Sequence, residues 1–267
     1  MSLEDKKLWL FDVDNTLIHD VETPEPFSDS QNLWEYLSEH GKELAVLTNV
    51  GRLSAKQVND VLVSAGYKLA LDRTLTAGTA AAGYIINRNR DGRCFLISEG
   101  GARDDFARYG IKLAHNPPID FVAIGADRGL TYQHLNFAAK MVRNGAALIC
   151  ISGSRDYPGE FLGHRDEFIG ERSIVAAIED ATGVEATIVG KPLPEIITAS
   201  IRLLGFEKED VVLVGDNPAS DVAGGNAAGL TTVLVKRPDN IVSFDAGNLD
   251  TEPDYSVDSL EEIIAML

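Results

Sequence analysis

Two aspartates, Asp12 and Asp14, close the apolar run Leu8-Trp-Leu-Phe-Asp12-Val-Asp14-Asn-Thr16-Leu. Far downstream a second apolar run, Val211-Val-Leu-Val-Gly215, ends at Asp216, and Asp221 follows it. A carboxylate at the end of a strand can attack phosphorus and form an aspartyl-phosphate, which water then hydrolyses. A second acid two positions on can give the leaving oxygen a proton and later take one from water, if neighbouring negative charge raises its pKa. Acids crowded at one edge repel one another, so a positive group must hold them. A divalent metal with oxygen ligands suits such a cluster. Asp216 fits a metal ligand, and Asp221 fits a partner that orients the water shell or a nearby lysine.

Two further segments could complete such a site. Thr48-Asn49 follows another apolar run, and its hydroxyl and backbone N–H could hold phosphoryl oxygens. Lys191, in Val189-Gly-Lys-Pro192, could neutralise a nucleophile and a transferring phosphoryl group. Taken alone, each signal has a plain structural reading. Asp-x-Asp reads as a surface turn and Thr-Asn as turn chemistry; Lys191 reads as a solvated loop lysine and Asp221 as a carboxylate at a helix start. Their order changes the reading, because all four come just after apolar strands in one chain.

The elements that must position them alternate. Apolar patterning predicts strands at 8–12, 43–47, 93–97, 121–125, 147–151, 186–189, 211–214 and 231–235. It predicts helices at 29–40, 79–87, 104–109, 171–181 and 194–204, and a terminal amphipathic helix at 257–267. Ser54-Ala-Lys-Gln57 has capping-box spacing and opens a helix running to about residue 65. Thr131 caps a strongly amphipathic helix closed by Gly145. Residues 152–170, broken by Gly153, Pro158, Gly159, Gly163 and Gly170, read as a long functional loop. Strand–helix alternation implies an α/β fold with parallel sheets covered on both faces, and ligands bind such sheets at the carboxyl ends of their strands.

Bulk properties narrow the class. Apolar residues make up 45% of 267, enough for a substantial core, and 24 basic residues against 41 acidic give a net charge of −17. That balance argues against non-specific nucleic-acid binding and requires any anion site to be made positive locally. Cys94 and Cys150 have no CxxC spacing and read as two buried thiols of a reducing compartment. No apolar stretch of signal-peptide length precedes Leu8 and no run approaches a bilayer span. A soluble cytoplasmic protein without a membrane partner is the expectation.

Asp12-Val-Asp14-Asn-Thr16, Thr48-Asn49, Lys191 and Gly215-Asp216 with Asp221 resemble the four motifs of the haloacid dehalogenase superfamily, and more narrowly its type IIA, NagD-like phosphatases. Thr48-Asn-Val-Gly-Arg52-Leu-Ser54, Asp120-Phe-Val-Ala-Ile-Gly125, Ser173-Ile-Val-Ala-Ala-Ile-Glu179 and Val189-Gly-Lys-Pro192 extend the likeness over nearly the whole chain. The resemblance implies a Rossmann-like parallel-sheet core, 1–77 and 187–267, interrupted by an α/β cap at 78–186 that selects substrate. It implies Mg²⁺ held by the Asp12 carboxylate, the Asp14 backbone carbonyl and Asp216. It implies Asp12 as nucleophile, Asp14 as acid and base, and Thr48, Asn49 and Lys191 on the phosphoryl group of a small phosphate ester. Pairing of two copies through the cap also occurs in this branch.

The pattern departs from its relatives in places. Asn15 stands where glycine is common, at a position that tolerates left-handed backbone. Asn217, Pro218 and Ala219 thin the acidic cluster after Asp216, and Ser152-Gly-Ser-Arg155-Asp-Tyr157 replaces an Asn-Pro-Asp turn. Glu171-Arg172 also intervenes before Ser173. Arg155, His164, Arg165 and Arg172 therefore gather where a cap would meet substrate. Any single one reads as a solvated loop charge; as a group they offer one residue to an anionic or sugar-like part of the ester. A dehalogenase would not need Asp14, and a phosphomutase is open on the motifs alone, although the cap favours water as acceptor. A phosphate-ester binding or regulatory module that had lost turnover would show a damaged motif.

Overall fold

A computed structural model describes residues 2–237 and 247–267, and for 158–161 and 165 the backbone alone. In chain order the first elements are β1 (Leu8–Phe11), α1 (Ser28–Glu39), β2 (Glu43–Thr48), α2 (Ala55–Ser64), β3 (Thr74–Thr76) and α3 (Ala77–Asn89). Then come β4 (Arg93–Ile97), α4 (Gly100–Arg108), β5 (Lys112–Leu113), β6 (Phe121–Ile124), α5 (Tyr132–Arg143) and β7 (Ala147–Cys150). The hairpin β8 (Asp156–Phe161) and β9 (His164–Ile169) leads to α6 (Glu171–Thr182), β10 (Thr187–Ile188) and α7 (Pro194–Leu203). The chain closes with β11 (Val211–Gly215), α8 (Ala223–Ala228), β12 (Thr231–Val235), β13 (Tyr255–Val257) and α9 (Glu261–Ile264).

These elements form two compact units. The first is Met1–Thr48, Lys56–Leu75 and Lys191–Leu267; the second is Asn49–Ala55 and Thr76–Gly190. The second unit contains all of 78–186 and extends beyond it to 76–77, to 187–190 with β10, and to the short segment after β2.

The first unit is a six-stranded sheet ordered β13-β12-β11-β1-β2-β3, parallel across the ladders from β13 to β2. All four residues of β1 are buried because both faces are covered. Leu8 and Leu10 pack with Leu213 and with Ile197 and Ile201 of α7 on one face. Trp9 and Phe11 point the other way, where Phe11 meets Trp34 of α1 at 5.4 Å between ring centroids. Trp34 in turn meets Tyr67 edge-on at 5.2 Å.

The second unit has its own parallel sheet, β10-β7-β6-β4-β5, and its own core, in which Phe95, Val122, Ile124, Leu148 and Cys150 face Met141 and Val142 of α5 and Val175 and Ile178 of α6. Thr131 caps α5 by accepting from the His134 N–H. Cys94 and Cys150 are free and buried, and burial pushes both thiols up, Cys94 to about 12.

Two sequence expectations require correction. Residues 152–170 are not one long loop, because β8 and β9 pair antiparallel from Asp156 opposite Ile169 to Phe161 opposite His164. Leu162, at φ 53, and Gly163, at φ 79, make the tight two-residue turn between them. The terminal stretch 257–267 is also not one helix. Tyr255–Val257 adds a parallel strand to β12, and only Glu261–Ile264 is helical. Among the described residues no helix is long and apolar enough to cross a membrane.

Candidate active site

The carboxyl edge of the first unit's sheet gathers the acids. Phe11 lies opposite Val214, and the Asp12 N–H donates to the Val214 carbonyl at 2.8 Å. Asp12 is thus level with Gly215, and Asp216 lies one step beyond. Lys191 precedes Pro192 ahead of α7, and its side chain is 1% exposed. Its Nζ sits 2.7 Å from Asp12 Oδ1 and 2.6 Å from Asp221 Oδ1. Asp221 lies in a single π-type turn, Pro218–Val222, rather than at an ordinary helix start. Asn217 caps that turn, its Oδ1 accepting from the N–H groups of Ala219 at 2.9 Å and Ser220 at 3.3 Å. The Asn217 N–H donates to Asp221 Oδ2 at 3.1 Å, so the carboxylate is held at both oxygens.

The charge balance of this cluster is negative. Burial, then repulsion from Asp221 and Asp12, raises the Asp216 pKa well above the carboxylate range. Burial pushes Asp221 up to about 6, against the pull of Lys191. Burial alone would lower the Lys191 ammonium, but Asp12 and Asp221 hold it above its ordinary value. Asp12, Asp216 and Asp221 each bring a carboxylate oxygen to within 4.8 Å of the others. An acidic cluster with a single ammonium beside it fits a divalent cation with oxygen ligands.

Asp14 lies in the loop after β1, half-buried with Oδ1 turned inward, and bridges to Ile18. Asn15 takes the left-handed conformation, φ 55, that its side chain tolerates better than most. Thr48 is the buried last residue of β2, and the pairing of Phe11 with Val46 sets it level with Val13. Asn49 belongs to the second unit, where its Oδ1 fills the space beside Gly190, 2.6 Å from where a β-carbon would stand. The structure therefore brings Asp12, Lys191, Asp216 and Asp221 together, with Thr48 on the adjoining strand end.

Of the basic residues expected to select substrate, the Arg165 side chain lies outside the described residues, and the other three are spread over the second unit. Arg172 is engaged, its Nη1 2.6 Å from Glu179 Oε2 along α6. Arg155 is exposed just before β8, and its backbone carbonyl accepts from Ser173 Oγ at 2.8 Å and from the Gly170 N–H. His164 is exposed at the opposite end of the hairpin, five residues along β8, or roughly 17 Å at the rise of a strand. These three do not form one cluster. Sequence reasoning passed over Arg237, whose side chain returns to the loop after Asp14; a lone Lys-Arg pair after a strand carries no mark of that contact.

The chain is similar to known proteins over nearly its whole length. Residues 9–112 match the family described as haloacid dehalogenase-like hydrolase, and residues 188–263 match a HAD-hydrolase-like family. The chain is 30% identical over 259 residues to the 5′-nucleotidase YutF of Bacillus subtilis, covering 97% of each. It is 27% identical to the acid sugar phosphatase of Staphylococcus aureus, covering 98% of each. The p-nitrophenyl phosphatase from Archaeoglobus fulgidus superposes with a TM-score of 0.87 at 27% identity, over 98% of this chain and 100% of that one.

Proposed function

We propose, since this chain belongs to the haloacid dehalogenase-like hydrolases as a phosphomonoesterase of the NagD-like type, that it hydrolyses small phosphomonoesters through an aspartyl-phosphate on Asp12. The Asp12 carboxylate attacks phosphorus, and the bond to the ester oxygen breaks. Asp14 gives its proton to the departing alkoxide. Water then attacks the phosphorus of the aspartyl-phosphate while Asp14 takes a proton from it, releasing phosphate and restoring Asp12. Lys191 neutralises Asp12 during approach and the phosphoryl oxygens afterwards. Thr48 and Asn49 bind those oxygens, and Asp221 keeps Lys191 aimed.

Asp12 and Asp216, with the Asp14 backbone carbonyl, would hold Mg²⁺. When bound, the ion supplies positive charge beside the phosphoryl oxygens. The second unit sets the choice of ester, with one of Arg155, His164 and Arg172 as the contact to an anionic or sugar-like part of it. The observation that carries this reading is the buried ammonium of Lys191 between Asp12 and Asp221 at the strand ends.

The substrates in the relatives' names define the first panel: p-nitrophenyl phosphate, 5′-nucleotides and sugar phosphates. Phosphate release is expected with Mg²⁺ and not with excess chelator, and Asp12→Asn is expected to abolish it while the fold survives. Retained turnover in Asp12→Asn would end the covalent mechanism. Folded wild-type protein that releases no phosphate from any ester would favour a binding module instead.

A further inference from the structure

We propose that Arg237 is a positioning residue for proton transfer, fixing the loop that carries Asp14. The proposal rests on the phosphatase reading above and adds a residue to it. Arg237 lies two residues past the end of β12, and its side chain is 9% exposed. Its guanidinium spends donors in two directions. Nη1 and Nη2 form a fork onto the Asp29 carboxylate at 3.0 and 3.1 Å. Nε donates to the Asn15 carbonyl at 3.2 Å and Nη2 to the Thr16 carbonyl at 3.3 Å. The Phe27 ring lies beneath the same group, 3.9 Å from centroid to Cζ, and stacks on His19 at 4.2 Å.

Each partner is itself fixed. Asp29 stands in the first turn of α1 and also accepts from the Leu260 N–H at 2.9 Å and Ser259 Oγ at 3.3 Å. Burial would raise its pKa, but Arg237 and these donors hold it below the usual range. An arginine needed only to pair with Asp29 could stop at the fork. The remaining contacts go to the two carbonyls that directly follow Asp14, one of them on the left-handed Asn15. A planar guanidinium can span a carboxylate and two carbonyls at once; an ammonium cannot. The position of Asp14 is thereby tied through Asn15 and Thr16 to α1 and to the end of β12.

The reaction offers a readout that a merely structural role would not move. Nitrophenolate departs without a proton, whereas an alkoxide needs one from Asp14. Values of kcat/KM, which report formation of the aspartyl-phosphate, would be compared for p-nitrophenyl phosphate and for whichever 5′-nucleotide or sugar phosphate the wild type uses best. Arg237→Lys and Arg237→Met are expected to lose about tenfold or more on the alkyl ester and under about threefold on p-nitrophenyl phosphate, since small displacements of a general acid are costly. Asp14→Asn is expected to show the same selectivity to a greater degree. Equal losses on both esters, or no loss, would overturn the proposal. Failure of both Arg237 variants to fold would also overturn it, by making the residue structural. Two controls separate the levels. Folded wild type that releases no phosphate from any ester sinks the phosphatase reading, and an Asp12→Asn variant that still turns over sinks the covalent mechanism. With an active wild type and an inactive Asp12→Asn, only the role of Arg237 is in question.

Discussion

A β-carbon on Gly215 would lie 2.3 Å from Cγ of Asp221. The glycine at the tip of β11 is thus required by the close approach of the carboxylate that holds Lys191, not by a turn. Gly215→Ala is expected to leave the sheet folded but push Asp221 away from Lys191 and the Asn217 N–H. A displacement of this size at a reacting centre should lower kcat by about ten- to a hundredfold. Steady-state kinetics on p-nitrophenyl phosphate, with circular dichroism as a check on the fold, would test it. Unchanged turnover would show that Asp221 does not keep Lys191 in place.

Metal binding should be visible without turnover. The three-carboxylate cluster carries more negative charge than Lys191 offsets. Millimolar Mg²⁺ is therefore expected to raise the melting temperature, by about 2.7 kcal/mol of stabilisation at a hundredfold excess over Kd. Asp216→Asn is expected to remove most of that shift. A melting temperature indifferent to Mg²⁺ in the wild type would count against the metal site.

The second unit should respond to pH through Glu171. This residue opens α6 at 4% exposure, and burial pushes its carboxyl up to about 7, with its own N–H, that of Ala126 and the charge of Arg52 opposing the shift. A raised carboxyl pKa favours the protonated folded form, so the stabilisation is complete below about 4.5 and is lost as pH rises through 7. The loss amounts to about 3 kcal/mol for a shift of this size. Urea unfolding of the wild type should therefore weaken from pH 5 to pH 8, and Glu171→Gln should flatten that slope. Identical slopes in the two proteins would sink the assignment.

Asp12 and Asp216 could be read from sequence because each follows a buried parallel strand, which has to end in polar residues at the edge where ligands bind. Lys191 follows β10, a short half-buried strand of the second unit's sheet, so its place beside Asp12 is legible only through the order of the motifs. The hairpin could not be read, because Pro158, Gly159 and Gly163 break the alternation by which a strand is recognised, and its charged residues look like loop. The strand Tyr255–Val257 carries no signal, because three residues are too few to show a period, and its last residue, Val257, falls at the start of the expected terminal helix. The grouping of Asn49–Ala55 with the second unit has no local signal; it depends on contacts such as the Gly101 N–H donating to the Arg52 carbonyl at 2.9 Å. Arg237 was invisible for the same reason, since its partners lie more than two hundred positions away.

The strand order β11-β1-β2 has a consequence for biosynthesis. β1 leaves the ribosome first, yet the neighbour that completes one of its edges is made about two hundred residues later, a delay on the order of ten to forty seconds at cellular translation speeds. During that interval Leu8, Trp9, Leu10 and Phe11 carry a half-made ladder and an apolar surface open to other chains. Growth conditions that slow elongation or deplete chaperones should therefore reduce the soluble yield of this protein, even though every element of the finished molecule is in place.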